Sequence, residues 1–207
     1  MLNIEKIWYK LNQNYLFKNI SFNVKKWIIW IYWPSGSGKS TLLKIIWWYI
    51  KSEWKILLDW KDIWTDIIKY RKNNWFSFQD YSLLNLTIKD NLLLPFTIWD
   101  NKKDEKWIDY LIDYFQIKHI LKKNITNISW WEKERVSIIK AFIHKPNIVF
   151  LDEAGWALDN TLKNKLYDFI KEYSQKNIIF FISHDKDFKN NFKFKNIVYN
   201  WSFEIYK

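Results

Sequence analysis

The sequence of 207 residues contains no cysteine and only three glycines and three prolines. Without cysteine the chain has no disulfide, no thiolate nucleophile and no Cys-ligated metal, and a cytosolic address is favoured. Its longest uninterrupted apolar run covers the seven residues 27–33, far fewer than the ~20 that a membrane-spanning helix needs. The first residues form neither a basic nor an apolar segment, so we expect no signal peptide.

Tryptophan is as abundant as glycine is scarce, with sixteen residues. An average chain of this length has about fourteen glycines, and glycine and tryptophan together make nineteen here. Trp60, for example, follows Asp59 between two apolar segments, where Asp-Gly would signal a hairpin turn. We hypothesise that at least ten of the sixteen tryptophans are glycines encoded by UGA, which some genetic codes translate as tryptophan and others as glycine. Trp8, Trp99 and Trp107 have the weakest glycine context.

The formal net charge of +11 allows three interpretations. A basic face could bind nucleic acid or lie near an anionic membrane. The third interpretation is that lysine is simply abundant, as AT-rich coding would produce. Because the lysines are spread along the whole chain without one dominant block, we favour this third interpretation. Apolar and charged contents of 49% and 27% are typical of a folded globular protein.

Hydrophobic periodicity predicts an α/β fold with a parallel sheet. Strands are predicted over 2–9, 16–24, 28–32, 55–59, 75–79, 147–151 and 178–182, with a terminal hairpin over 195–206. Helices are predicted over 39–50, 87–94, 104–115, 131–143 and 161–173. Strand–helix alternation interrupted by a helical block indicates a core with an inserted helical subdomain. We expect one domain, with the core formed by about 1–79 and 141–207 and the helical subdomain by about 80–140.

A phosphate-binding loop is predicted between the third strand and the first helix. Residues 33–40 match the pattern G-x-x-x-x-G-K-[ST] at each specified position except the first, where Trp33 stands. Backbone N–H groups of the loop and the helix start would hold the phosphates of ATP. Lys39 is expected to contact the β- and γ-phosphates, and the Ser40 hydroxyl to bind Mg²⁺. The predicted ATP-binding residues are Trp33, Pro34, Ser35, Gly36, Ser37, Gly38, Lys39, Ser40 and Thr41. An indole at position 33 would crowd the phosphates.

Two adjacent carboxylates, Asp152 and Glu153, end an apolar strand. Phosphoryl transfer depends on positioning and charge neutralisation more than on covalent chemistry. Asp152 is expected to hold Mg²⁺ through water, and Glu153 to polarise the attacking water as general base. His184 follows another apolar strand and is expected to contact the γ-phosphate, whereas His119 and His144 are assigned structural roles.

In their order along the chain, these motifs resemble those of the ATP-binding subunits of ABC transporters, over nearly the whole sequence. The resemblance implies a P-loop NTPase core of the RecA-like type with a mixed sheet. Gln79 resembles the Q-loop glutamine, which implies a contact with Mg²⁺ and the γ-phosphate. The segment Ser129-Trp130-Trp131-Glu132 resembles the family signature, with tryptophan at two glycine positions. The remaining matches are the Walker B carboxylates Asp152 and Glu153, the D-loop residue Asp159 and the switch histidine His184.

The resemblance implies an ATPase that works as a head-to-tail dimer, in which each signature contacts the ATP bound by the partner. The dimer can consist of two identical or two different ATP-binding subunits. It also implies an integral-membrane permease as partner, a location on the inner face of the cell membrane, and no nucleic acid. An aromatic side chain stacks on adenine in this family; Tyr9 lies near the expected place, and Tyr15 is the alternative.

Residues 85–95 resemble the stretch after the Q-loop in ATPases of the lipoprotein-release and macrolide-export type. This similarity favours export, without indicating the transported substrate. A first alternative is an ABC-type ATPase that takes no part in transport. A second is a basic, aromatic nucleic-acid binder, which is disfavoured because the tryptophans follow glycine positions. The segment Ala154-Gly155-Trp156 departs from the family, which has proline followed by threonine or serine after the second carboxylate.

Overall fold

The computed structural model describes residues 1–32, 36–47, 55–77, 83–183, 195–200 and 202–206. These residues form two sheets and six α-helices. The strands are β1 Leu2–Leu11, β2 Asn14–Val24, β3 Trp27–Tyr32, β4 Lys55–Leu58, β5 Lys61–Asp62, β6 Asn74–Ser77, β7 Ile148–Asp152, β8 Ile178–Ile182, β9 Lys195–Asn200 and β10 Ser202–Tyr206. The helices are α1 Lys39–Ile46, α2 Ile67–Lys72, α3 Ile88–Trp99, α4 Glu105–Tyr114, α5 Trp130–Phe142 and α6 Asn160–Ser174. Short 3₁₀ turns cover Ile63–Asp66, Lys118–Ile120 and Ile125–Asn127.

The larger sheet has the order β10-β9-β3-β8-β7-β6. Strands β9, β3, β8, β7 and β6 run parallel, and only the terminal β10 is antiparallel to its neighbour. The smaller sheet is antiparallel, with the order β2-β1-β4-β5. The prediction of a parallel core sheet with additional antiparallel strands is therefore confirmed.

Strand β7, which lies between β8 and the edge strand β6, is buried on both faces, which explains its unbroken apolar sequence. Its five residues are all buried. Val149 and Leu151 pack with the cluster that contains α5 and α6, whereas Ile148 and Phe150 pack with the cluster that contains α1. Successive side chains of a strand point to opposite faces, so β7 packs against helices on both faces of the sheet.

Three helices, α3, α4 and α5, lie between β6 and β7 in sequence, where the helical block was predicted. Their buried side chains join the same core cluster as α6, through residues such as Leu92, Leu111, Phe115 and Val136. We call α3, α4 and α5 the helical arm. Because the helical arm shares its core with the sheet, the predicted subdomain boundaries at about 80 and 140 stay a prediction. None of the described helices is long and apolar enough to cross a membrane.

Two elements and two helix ends differ from the expectations. Helix α1 ends at Ile46, with Trp47 as its C-cap, instead of continuing to residue 50. The two-residue strand β5 and the helix α2 were not predicted, because neither carries a long periodic pattern. Helix α3 continues through Pro95 to Trp99 instead of ending at residue 94. A proline inside a helix removes one backbone hydrogen bond, but Pro95 and Phe96 are both buried, and their packing offsets that loss.

Two of the described tryptophans adopt left-handed backbone conformations. Trp27 has a φ of 103° at the start of β3, and its side chain is 59% exposed. Asp59 and Trp60, with φ values of 49° and 65°, form the two-residue loop between β4 and β5. A hairpin turn with positive φ at both central residues favours Asn-Gly or Asp-Gly, so the predicted turn is confirmed. The other described non-glycine residues with positive φ lie between 48° and 69°, and the three glycines between 79° and 91°. Trp27 therefore has the backbone of a glycine.

Candidate functional site

The carboxyl ends of four neighbouring parallel strands meet at one edge of the larger sheet. Strand β3 ends at Tyr32, directly before the predicted phosphate loop, and β7 ends at Asp152. The strands β6 and β8 end at Ser77 and Ile182, shortly before two further predicted site residues. In open α/β sheets ligands bind at this edge. The topology thus brings together motifs that are more than a hundred residues apart in sequence.

Five of the predicted residues, Trp33, Pro34, Ser35, Gln79 and His184, lie outside the described residues. Their predicted roles stay predictions.

The described part of the phosphate loop offers a binding site for an anion. Gly36 and Gly38 have φ values of 79° and 91°, which L-residues with a side chain rarely adopt. Helix α1 begins at Lys39, and among the described residues no side chain caps its first turn and no acidic residue lies within it. The Ser37 hydroxyl is buried without a hydrogen-bond partner in the described structure. Free amides at a helix N-terminus attract phosphate oxygens, so the loop fits the polyphosphate of ATP.

Lys39 and Ser40 lie beside the carboxylates at the end of β7. Burial lowers the pKa of Lys39, and the negative charges of Glu153 and Asp152 oppose this shift. Asp152 is 7% exposed; burial raises its pKa, whereas a hydrogen bond from Ser40 acts in the opposite direction. One carboxylate and one hydroxyl fit Mg²⁺, which takes few protein ligands and completes its shell with water and phosphate oxygens.

Glu153 occupies a bend directly after β7. Its φ is 57°, and its N–H donates to the carbonyl of Ile182 in β8 over 3.0 Å. This bond continues the sheet by one residue after β7 has ended. The backbone of Glu153 is therefore fixed to the sheet, and its side chain is half-buried beside Asp152.

The predicted signature forms the N-terminus of α5 and contains a capping box that the sequence analysis did not recognise. Ser129 is the N-cap, and its Oγ accepts from the Glu132 N–H over 3.3 Å. The Ser129 N–H donates in return to Glu132 Oε2 over 2.7 Å, and this bond holds the pKa of Glu132 below its ordinary value. The pattern Ser-x-x-Glu before a helix is the signal that predicts such a cap. Ser129 and Glu132 thus also have a structural role.

Trp130 and Trp131 project from the first turn of α5 and are 49% and 58% exposed. Trp130 contacts Trp156, which is 58% exposed, with the ring centroids 5.6 Å apart. Asp159 caps α6 by accepting from the Leu162 N–H over 2.9 Å. The signature and the D-loop segment therefore lie side by side on the surface.

The two candidates for adenine stacking lie in different surroundings. Tyr9 packs against Phe17, with ring centroids 6.3 Å apart. A Cβ atom at Gly38 would approach Phe17 Cζ to 3.1 Å and Leu16 Cδ2 to 2.8 Å, so β2 borders the phosphate loop. The Phe17 ring lies between Tyr9 and this loop. Tyr15 is covered by Lys10 and Lys18, whose Nζ atoms lie 4.5 and 5.3 Å from its ring centroid. Leu16 and Phe17 were not predicted as site residues, because nothing in a strand pattern reveals a contact with a distant loop.

Residues 17–155 match the model of the family described as "ABC transporter". The chain belongs to the ABC transporter family. This match covers more than half of the sequence and includes the phosphate loop, the signature and the carboxylates at the end of β7. As a member of this family the protein is an ATPase with an ATP-binding cassette of the P-loop NTPase fold.

Relatives of the chain include ATP-binding proteins of both export and import systems. It is 32% identical to the probable iron export ATP-binding protein FetA of Escherichia coli strain K12, with 90% of this chain and 86% of FetA covered. It is 34% identical to the bacitracin export ATP-binding protein BceA of Halalkalibacterium halodurans, with 85% and 74% covered. It is also 34% identical to the spermidine/putrescine import ATP-binding protein PotA of Mycoplasma capricolum, with 90% of this chain but 55% of PotA covered.

Solved structures show the same fold. The dimeric bacterial ABC transporter cassette MJ0796 superposes with a TM-score of 0.84 over 99% of this chain and 97% of that one, at 23% identity. CbiO1 of Clostridium perfringens, part of the ABC transporter complex cbiONQ, superposes with a TM-score of 0.77 over 99% and 86% of the two chains, at 25% identity. The predicted fold class is confirmed.

The capping box of the signature is open to direct measurement. We expect Ser129→Ala to lower the free energy of unfolding by about 1 kcal/mol, because the first turn of α5 loses its side-chain cap. Ser129→Asn should keep the stability, since asparagine caps helices as well as serine does. Urea unfolding of the two variants and the parent protein measures both effects, and equal losses for alanine and asparagine would contradict the capping role.

Proposed function

We propose that this protein is the ATP-binding and ATP-hydrolysing subunit of an ABC transporter, working in a head-to-tail dimer coupled to a membrane permease. The proposal is carried by the meeting of Lys39, Ser40, Asp152 and Glu153 at one sheet edge. A second support is the exposed start of α5, from which a signature can reach a partner's nucleotide. The partner subunit is a second copy of this chain or a related ATP-binding subunit.

Each of the residues at the sheet edge has a distinct role in this proposal. Lys39 and the loop amides neutralise the phosphate charge, which is the main requirement of phosphoryl transfer. Glu153 orients and polarises the attacking water as general base. Ser40, Asp152 and Gln79 would hold Mg²⁺, which supplies further charge neutralisation on the phosphate oxygens. His184 contacts the γ-phosphate, and Tyr9 stacks on adenine.

The permease is proposed to dock on the segment before α3. Leu84 and Leu86 are 49% and 37% exposed, yet their backbone is held firmly. The fully buried Asn91 side chain accepts from the Leu84 N–H over 2.8 Å and donates to the Leu84 carbonyl over 2.9 Å and the Thr87 carbonyl over 3.1 Å. A rigid loop that presents apolar side chains suits a partner of complementary shape. A permease bound here would place the ATPase at the inner face of the cell membrane.

Export of the lipoprotein-release type is proposed as the direction of transport. The support is the similarity of residues 85–95 to that group, together with relatives described as export ATP-binding proteins. One relative of similar identity is an import ATP-binding protein. A transport assay that shows import would therefore overturn the proposed direction.

We further propose that the native protein carries glycine at most of the tryptophan positions. Trp27, with φ of 103°, and Trp60, in the two-residue hairpin loop, have the backbone that favours glycine. An indole at Trp27 also gains little from burial, because it is 59% exposed. At Trp130 and Trp131 the argument is different, since the partner's γ-phosphate must approach the backbone there and two exposed indoles would prevent it.

Trp30 and Trp107 are the described tryptophans whose side chains best support a genuine indole. Trp30 in β3 is 3% exposed, and its indole N–H donates to the carbonyl of Ser183 over 3.1 Å. The half-buried Trp107 has an indole N–H that donates to the carbonyl of Phe142 over 3.0 Å. Its ring packs against Tyr110 and Phe169, with centroids 5.4 and 6.0 Å away. A buried indole commonly has such a hydrogen bond, and glycine would leave the cluster incomplete.

Peptide mass spectrometry of the protein from its native host tests this assignment. We expect glycine at positions 27, 33, 60, 130, 131 and 156, and tryptophan at 107. Tryptophan at 33, 130 and 131 would contradict the proposal, and a protein with those indoles is expected to hydrolyse little or no ATP. The native peptide at 107 provides an internal reference for the detection of tryptophan.

Glu153→Gln tests the hydrolytic site, in the protein with the residues that mass spectrometry identifies. We expect kcat to fall by at least about 100-fold, because a general base contributes 10²-fold or more, while ATP binding is retained. The ATP-bound dimer should then accumulate, measured by light scattering after size exclusion. Glu172→Gln, at an exposed position on α6, is the matched control. Wild-type turnover of the Glu153 variant, or the lack of an ATP-dependent dimer, would overturn the proposal.

The docking segment is tested by Leu84→Ser together with Leu86→Ser. We expect ATPase activity of the isolated subunit to persist, because the backbone bonds to Asn91 remain, while stimulation by a co-reconstituted permease of the same host is lost. Ile98→Ser, at another exposed apolar position of the arm (58% exposed), is the control. Equal stimulation of all variants by that protein in proteoliposomes would argue against docking at this segment.

A further inference from the structure

A buried carboxylate connects the signature helix to the segment that carries the proposed general base. Glu134 lies in α5, four residues after Trp130, and is 2% exposed. Its Oε1 accepts a hydrogen bond from the backbone N–H of Gly155. A buried carboxylate is costly unless hydrogen bonds compensate it, and bonds to an ionised acceptor are stronger than neutral ones. The contact therefore ties α5 firmly to residue 155.

Gly155 has little freedom to move away from this contact. It is buried with φ of 86°, and a Cβ atom there would lie 2.6 Å from Leu166 Cδ2 of α6. Its carbonyl accepts from the Leu158 N–H over 3.1 Å. The segment is thus held between α5 on one side and α6 on the other.

Glu153 stands only two residues before Gly155. Its own N–H is bonded to the carbonyl of Ile182, so the bend around Glu153 has one anchor on β8 and another on α5. A shift of α5 along or across its axis would act on the second anchor. Within the bend, residues 153 and 155 both have positive φ, and such a bend changes its side-chain direction when one end is displaced.

We infer that Glu134 is a positioning residue that couples the signature of one ATP site to the general base of the other. The inference rests on the proposed head-to-tail dimer, in which the signature and Glu153 of one chain belong to different nucleotides. When the partner's ATP draws the start of α5 toward it, Glu134 moves Gly155 and sets the orientation of Glu153. Coupling between two sites requires such a physical connection that both sites can bias.

The coupling requires only a small displacement of Glu153. A displacement of about 1 Å at a reacting group can lower a rate 100-fold. One charge-assisted hydrogen bond between two tightly packed segments is sufficient to transmit a displacement of that size. Glutamine in place of Glu134 retains a carbonyl oxygen as acceptor for the Gly155 N–H. Leucine has a similar side-chain volume but no hydrogen-bond acceptor.

The test compares Glu134→Leu and Glu134→Gln in the full-length protein. We expect Glu134→Leu to lower kcat about 10-fold or more with little change in KM, and to reduce the Hill coefficient for ATP. Glu134→Gln should retain most of the wild-type kcat and cooperativity. Ile138→Val, a fully buried change in the same helix, is the control for a general loss of stability, and thermal unfolding of all variants is measured in parallel.

The outcomes separate the inference from the function on which it rests. If the Glu153→Gln variant, in which ATP is not hydrolysed, forms no ATP-dependent dimer, both the proposed function and the coupling are overturned. If the dimer forms and Glu134→Leu behaves like Ile138→Val, only the coupling is overturned. An equal loss of kcat in Glu134→Gln and Glu134→Leu would also overturn it, because the acceptor oxygen would then be irrelevant. A lower kcat and Hill coefficient in the leucine variant alone supports it.

Discussion

The parallel pairing of β3, β8 and β7 is the constraint on which the rest of the protein depends. Each strand is buried on both faces, so its register is fixed by apolar packing above and below the sheet. Because the strands run parallel, their carboxyl ends must lie at one edge. That edge brings the phosphate loop after β3 to the two carboxylates after β7, and the charge of Lys39 then meets those of Asp152 and Glu153. The catalytic roles proposed for these residues depend on that meeting.

The helical arm adds a second level of organisation to this sheet. Helix α5 begins at the surface with the predicted signature and continues into the shared core, so in the proposed dimer one element would belong both to the dimer face and to the interior. Glu134 lies where these two environments meet, and its bond to Gly155 extends to the bend that carries Glu153. In the proposed dimer this arrangement would give a short route from a partner's nucleotide to Glu153.

The glycine-like backbone at tryptophan positions connects the sequence anomaly with the structure. The composition suggests that tryptophan stands at glycine positions, but it does not show which tryptophans are affected. Backbone geometry distinguishes them: Trp27 has a φ of 103°, whereas Trp107 donates a hydrogen bond from a packed indole. Trp27 thus has a backbone that suits glycine, whereas Trp107 has a side chain that takes part in the packing. The exposed tryptophans Trp27, Trp60, Trp130 and Trp131 lie at turns and in the signature. The core of the sheet consists mainly of aliphatic and phenyl side chains, together with the buried indole of Trp30.

The sequence alone determined the fold class, the order of the longer elements and the motifs, because hydrophobic periodicity and residue spacing are local properties. It predicted Lys39, Ser40, Asp152 and Glu153 as site residues, and the parallel sheet explains how they become neighbours. It missed the bond between Glu134 and Gly155, the contacts of Leu16 and Phe17 with the phosphate loop, and the continuation of α3 through Pro95. These features join residues from separate elements or depend on burial that offsets a local penalty. Only the packing of helices on the sheet decided them, since contact between distant segments leaves no periodic signal in the chain.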